Sequence, residues 1–190
     1  MRFGVLALQG DFREHAAAAA AAGAEPVMVR LPGDLDGVDA LAIPGGESTT
    51  IGKLADRYGL VEPLREVIAA GLPTLGTCAG MIFLATATTG ARSQVQLGVL
   101  DVVVRRNAFG PQVASFETDL DVAGVEGPVR AVFIRAPWIE KVGVGVEVLA
   151  EVDGHPVMVR EGNIVATAFH PELTGDPRIH RLLLEMCGRM

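Results

Sequence analysis

The 190-residue sequence predicts an α/β fold, a doubly wound mixed sheet flanked by helices in three layers. Three observations predict it. Short apolar, β-branched runs alternate with helical stretches as far as Thr89, the texture changes to closely spaced alternating strands from Leu97, and the chain closes on an amphipathic helix. This length suits one domain, 1–190, with a sizeable core.

The elements follow in order. RFGVLAL (2–8) is a continuous apolar run and reads as a buried strand; GDFREHAAAAAAA (10–22) reads as a helix with Asp11 at its N-cap, ended by Gly23. Its alanine run favours helix and carries no functional signal. Pro26 to Leu31 and Val38 to Ile43 read as further strands bounded by Gly, Pro and Asp. Glu47 to Gly71 reads as two short helices broken near Gly59, Leu72 to Thr77 as a strand, and Ala79 to Thr89 as a helix. Six alternating segments follow (LGVLDVVVRR, QVASFETDLDV, VRAVFIR, VEVLAEVDG, HPVMVREG, NIVATAF), with turns at Gly124, Gly127 and Asp153-Gly154, and predict mixed or antiparallel sheet. Asp176 to Gly188 places Ile179, Leu182, Leu183 and Met186 on one helical face.

A formal charge of −7 argues against nucleic-acid binding, which needs clustered Lys and Arg to displace counterions. No apolar run reaches the ~20 residues needed to span a bilayer, and the start MRFGV lacks the apolar stretch of a signal peptide, so a cytoplasmic location is expected. The two cysteines, Cys78 and Cys187, are too few for a disulfide framework and lack CxxC spacing, so each reads as a free thiol.

Three motifs carry chemistry. Gly76-Thr77-Cys78-Ala79-Gly80 is a G-x-nucleophile-x-G arrangement at the carboxyl end of a predicted central strand. A sharp strand-to-helix turn there exposes the nucleophile, the glycines allow close approach, and the helix N-terminus favours the thiolate. A cysteine among apolar residues also fits a buried small hydrophobe. Phe169-His170-Pro171-Glu172 supplies a base and its orienter, since residues two apart in an extended segment point the same way; it also fits a loop-capping motif. In Ile43-Pro44-Gly45-Gly46-Glu47-Ser48-Thr49-Thr50 the paired glycines precede a helix start with Ser or Thr caps. This fits a plain turn, or a loop whose Gly46 amide joins the Ala79 amide as an oxyanion hole.

The remaining candidates read as structural. His15 and His180 are expected to be solvated or satisfied helix residues, His155 to lie in a turn, Cys187 to be structural, and Trp138 to affect local packing or an interface.

Together the three motifs resemble the class I glutamine amidotransferases, of flavodoxin-like fold, with their Cys-His-Glu triad. More narrowly, LALQGDFREH (6–15), PGGESTT (44–50), GTCAGM (76–81), RNAFG (106–110), SFETDL (115–120), FIRAPWIE (133–140) and AFHPELT (168–174) resemble the PdxT/SNO family, the glutaminase subunits of pyridoxal 5′-phosphate synthase. The resemblance runs from the first strand to the last helix. It implies that Cys78 attacks the side-chain amide of L-glutamine, His170 moves protons and Glu172 orients the imidazole. It further implies glutamine contacts at Gly46, Glu47, Ser48, Arg106, Ile134 and Arg135, an oxyanion hole at Gly46 and Ala79, and no metal or cofactor. The two arginines have independent sense, because a guanidinium can grip the α-carboxylate of glutamine in a bidentate way; a surface ion pair is their other reading. The implied partner is a PdxS-type synthase subunit in a large heteromeric complex that receives ammonia through a channel and completes the oxyanion hole on docking. Gln9, Gly10 and the loop after Pro44 are expected at that interface, because they follow strands ending on the same sheet edge as Cys78. A stand-alone hydrolase or peptidase of the cysteine-elbow type and a silent binding subunit remain as alternatives.

Overall fold

The apolar runs do become strands. In the computed structural model, described over residues 1–90, 94–106 and 115–188, β1 (Arg2–Leu6), β2 (Glu25–Val29), β3 (Ala40–Ile43) and β4 (Thr74–Thr77) run parallel, with Phe3, Val5, Leu41, Ile43 and Leu75 fully buried. Burial on both faces explains why these segments read as continuous rather than alternating apolar runs.

Between them lie α1 (Phe12–Ala21), α2 (Ser48–Arg57) and α3 (Val61–Ala69). Each ends at a glycine (Gly23, Gly59, Gly71) of positive φ, and the next residue's N–H returns to a carbonyl five residues back: Ala24 to Ala19, Leu60 to Ala55, Leu72 to Val67. The alanines of α1 have a packing role, since Ala16, Ala18 and Ala19 are buried where the helix lies on β1 and β2.

The expected helix 79–89 is shorter. Helix α4 (Ala79–Leu84) stops at Ala85, and β5 (Ala85–Thr89) continues as strand. Thr86, Thr88 and Thr89, stiff at χ1, favour the pleated conformation over the helix. Downstream come β6 (Leu100–Arg105), β7 (Ser115–Leu120), β8 (Val129–Ile134), β9 (Trp138–Val142), β10 (Glu147–Val152), β11 (His155–Glu161), β12 (Ile164–Thr167) and α5 (Arg178–Met186). Strand β9 escaped the sequence reading because WIEKV does not alternate cleanly. The expected strand start at 112–114 lies outside the described residues.

Among the described residues the strands form a seven-stranded sheet of order β10-β11-β12-β4-β3-β1-β2, a three-stranded sheet β5-β6-β9 and the hairpin β7-β8. Strand β12 joins β4 in parallel and carries antiparallel β11 and β10, so the sheet is mixed. Asp153 and Gly154, both of positive φ, make the two-residue turn between β10 and β11. From β1 the chain crosses to β2 on one side and later enters β3 on the other. The right-handed rule then sets α1 and the α2–α3 pair on opposite faces, and a crevice opens at the carboxyl ends of β1 and β3. Strands β4 and β12 end on that same edge.

Candidate active site

Cys78 stands between β4 and α4 with φ 48° and ψ −102°, a conformation that costs a non-glycine residue of order 1–3 kcal/mol and is held by its surroundings. Its N–H donates to the Thr167 carbonyl of β12 at 2.8 Å. A Cβ on Gly80 would fall 2.0 Å from the Ile43 carbonyl oxygen, so the second glycine of the elbow is required by the close passage of β3.

His170 follows β12, and its Nδ1 lies 2.7 Å from Glu172 Oε1. The segment is not extended as expected, for Pro171–Leu173 form a 3-10 turn, and the turn still brings Glu172 back onto the imidazole. Burial pulls the pKa of His170 down, but the Cys78 thiol and the Glu172 carboxylate outweigh it and push it up to about 10. Burial drives the Glu172 carboxyl upward, opposed by His170. Asp11 begins α1 without capping it by its side chain; its Oδ2 lies 3.5 Å from His170 Nδ1 instead. Asp11, His170 and Glu172 thus put one donor atom each within 4.8 Å of one another, a spacing a cation could use, but Glu172 Oε1 is already engaged by the imidazole.

The loop after β3 packs against this pair. A Cβ on Gly45 would sit 2.3 Å from His170 Cε1. The cap of α2 is Glu47 rather than a Ser or Thr: its carboxylate accepts from the N–H groups of Thr49 (3.1 Å) and Thr50 (2.7 Å). Partial burial raises its pKa, and these bonds with the Thr50 hydroxyl overcome that and bring it to about 2, so it stays ionised. Arg106 Nη2 reaches Glu47 Oε1 at 3.2 Å, and its Nη1 reaches Gln94 Oε1 at 3.2 Å. Gln94 Oε1 also accepts from Ser48 Oγ, and Gln9 Oε1 accepts from the Glu47 N–H at 2.7 Å. Residues 107–110 of the RNAFG motif lie outside the described residues.

A cavity of about 520 Å³ gathers these groups. Cys78, His170, Ala79, Gly46, Glu47, Ser48, Arg106, Ile134 and Arg135 all line it. Glu172 stands behind His170, buried. Arg135 has φ 43° and no ion pair among the described residues. Gln9, Asp11, Ile82 and Pro137 complete the wall; of these the sequence reading named only Gln9 for a functional position, at an interface.

The SNO glutamine amidotransferase family matches residues 5–189. The chain belongs to this family. Two similar members are the pyridoxal 5′-phosphate synthase subunits PdxT of Frankia alni, 61% identical over 187 residues covering 97% of this chain and 94% of that protein, and of Mycobacterium avium, 59% identical over 189 residues covering 97% and 96%. A crystal structure of a glutamine amidotransferase superposes with a TM-score of 0.94 at 54% identity, covering 98% of each chain. The fold is therefore that of the class I glutamine amidotransferases, as the sequence predicts.

Of the two readings the sequence left for His15 and His180, solvated or satisfied helix residues, the structure takes the second, for both are fully buried. His15 Nδ1 lies 3.0 Å from His180 Nε2, and His15 Nε2 lies 3.0 Å from Thr77 Oγ1 and 3.5 Å from Glu172 Oε2. The signal was available: His180 neighbours Ile179 and precedes Leu183 and Leu184 by three and four positions, all buried, so it shares their apolar face. His155 is the first residue of β11 rather than a turn residue, with its ring stacked 3.9 Å from that of Trp138. Cys187 is half-buried and its thiol donates to the Asp39 carbonyl.

Proposed function

We propose that this chain hydrolyses L-glutamine to L-glutamate and ammonia and passes the ammonia to a pyridoxal 5′-phosphate synthase subunit, in the cytoplasm. The observation that carries the reading is the strained Cys78 facing the same cavity as a His170 whose Nδ1 is 2.7 Å from a buried Glu172. Cys78 Sγ attacks the amide carbon while His170 holds the thiol proton, and the tetrahedral oxyanion takes N–H bonds from Ala79 and Gly46. Collapse breaks the C–N bond, His170 gives its proton to the leaving nitrogen, and ammonia departs. Water then adds to the glutamyl thioester with His170 as base, and the proton returns to sulfur as glutamate leaves. Ala79 opens α4, so its N–H has no partner within the helix.

Arg106, pre-oriented by Glu47 and Gln94, and Arg135 meet the α-carboxylate of the substrate; Glu47, Ser48 and Ile134 shape the pocket around it. The Gln9 bond to the Glu47 N–H couples the end of β1 to the Gly46 loop. A synthase subunit that contacts Gln9 and Gly10 would therefore act on the proposed Gly46 donor through the adjoining Glu47 N–H, which supports docking of this edge in a large heteromeric complex. Ammonia release from glutamine, measured with and without the synthase subunit and with a Cys78→Ala control, tests the reading. Release that the partner stimulates and the control lacks is expected; no release from the wild type with its partner present would overturn it.

A further inference from the structure

Behind Glu172 the polar groups form a closed, dry cluster. His15 on α1, His180 on α5 and Thr77 on β4 are each fully buried. Burial holds His15 well below the ordinary imidazole range, and holds His180 at about 4, so both are neutral. A neutral imidazole has one N–H and one lone pair, so the protons of the cluster can be counted.

Two arrangements satisfy the 3.0 Å contact between the rings. If His15 carries its proton on Nδ1, it donates to His180 Nε2. His180 must then hold its own proton on Nδ1, a buried atom with no hydrogen-bond partner among the described residues. His15 Nε2 would also turn a lone pair toward the Glu172 carboxylate. If His180 instead carries its proton on Nε2, it donates to His15 Nδ1, and His15 Nε2–H donates to Thr77 Oγ1 at 3.0 Å with Glu172 Oε2 3.5 Å away. A lone pair of His180 and the Thr77 hydroxyl hydrogen are then left unpaired among the described residues. Thr77 Oγ1 already accepts from the Gly45 N–H, and its own hydroxyl hydrogen finds an acceptor in His15 Nε2 only in the first arrangement. Each arrangement therefore leaves one buried donor unpaired, His180 Nδ1–H in the first and the Thr77 hydroxyl in the second, but only the first opposes a lone pair to the Glu172 carboxylate, and the second is favoured on that ground.

Resting on the glutaminase reading above, we infer that His15 is a positioning residue for the proposed triad: its Nε2–H, fixed in that tautomer by His180 and bonded to Thr77, turns its positive end toward Glu172 Oε2 and by that attraction keeps Oε1 aimed at His170 Nδ1. Glu172 Oε2 is buried with no hydrogen-bond partner among the described residues, and His15 Nε2, 3.5 Å away, faces it across a distance that carries electrostatic attraction rather than a formed hydrogen bond. Without that attraction a carboxyl that burial already drives toward protonation gains a second reason to take up a proton, and an oxygen so protonated no longer orders the imidazole.

The full chain labelled with ¹⁵N-histidine reports the tautomers directly. Nε2–H on both His15 and His180 is expected; Nδ1–H on His15 would overturn the inference whatever the enzyme's activity. Kinetics with the synthase subunit present give the second arm. His15→Met should lower kcat for ammonia release about 10–100-fold with KM within about twofold, and His15→Gln, which keeps a donor near the Nε2 position, should recover most of the loss. A folded His15→Met with wild-type kcat would overturn it. Should His15→Met fail to fold, His180→Met frees the tautomer instead, and a fall of about 3–10-fold in kcat is expected, an unchanged kcat being the contrary result. A wild-type chain that releases no ammonia with its partner sinks the functional reading alone, and the tautomer measurement still decides this one.

Discussion

The two sides of the His170–Glu172 pair are built on opposite terms. The front opens on a 520 Å³ cavity lined by groups that carry charge, Asp11, Glu47, Arg106 and Arg135, each partly or fully in contact with solvent. The back is dry and neutral: His15, His180 and Thr77 are fully buried beside Phe3, whose ring centroid lies 5.9 Å from that of His180. A wet, charged face can rearrange around a substrate, because water answers any group left unpaired. The buried face has no such reserve, so a proton left unpaired there is costly. Recognition belongs in front and precision behind.

The comparison can be broken most forcefully at its pivot. Cys78→Ala should lower glutamine hydrolysis by at least about 10⁴-fold while the thermal midpoint stays within a few degrees, because only one small atom is lost from the elbow. A residual rate above that would remove Cys78 from the proposed chemistry. Next is Glu172→Gln, at the boundary of the two faces. It keeps an acceptor for His170 but loses the charge, and kcat should fall about 10²–10⁴-fold with little effect on KM. If KM rose instead, the carboxylate would belong to the recognising face. Gly45→Ala tests how precisely the front holds the imidazole. The new Cβ would lie 2.3 Å from His170 Cε1, and displacing the ring by a fraction of an ångström should cost up to about 10²-fold in kcat. Arg106→Lys should do the reverse and raise KM about tenfold with kcat within threefold, since lysine loses the fork that holds Glu47 and Gln94 together.

The front was legible in the sequence and the back was not, for a physical reason. The motifs PGGEST, GTCAG and FHPE are each local, and their glycines and proline announce strand ends and turns within a few residues. A doubly wound order then sends every parallel strand's carboxyl end to one edge, so Gly46, Cys78 and His170 meet there without further information. His15 and His180 are 165 residues apart, and nothing local in either helix names the other. Their helical positions betray burial, but the pairing is a tertiary fact. Gln94, the acceptor shared by Ser48, Thr49 and Arg106, escaped for the same reason. In the fold, the second half was read as alternating strands, yet the assignment of β10 to β12 to the main sheet and of β5, β6 and β9 to a separate one depends on long-range register.

The smallest expected effect separates the faces by sign. His180 has a folded pKa of about 4 against 6.5 for an exposed imidazole, so between those values the unfolded chain binds more protons. Its contribution to stability is complete above pH 6.5 and is lost as pH falls toward 4. His15, depressed likewise by burial, adds in the same direction. On the other side, His170 is raised to about 10; its contribution is complete below pH 6.5 and is lost as pH rises toward 10. The two slopes act on opposite sides of pH 6.5, so the wild-type curve is a dome to which all three histidines contribute, and it does not by itself isolate the back. The difference in unfolding free energy between wild type and His180→Met cancels the His170 contribution and isolates the back. From pH 7.5 to 5.5 that difference should shrink by roughly 1 kcal/mol, measured by urea unfolding at each pH. A difference that stays constant over this range would mean that His180 is already free to take up a proton, and the back face would not be the dry compartment that the geometry describes.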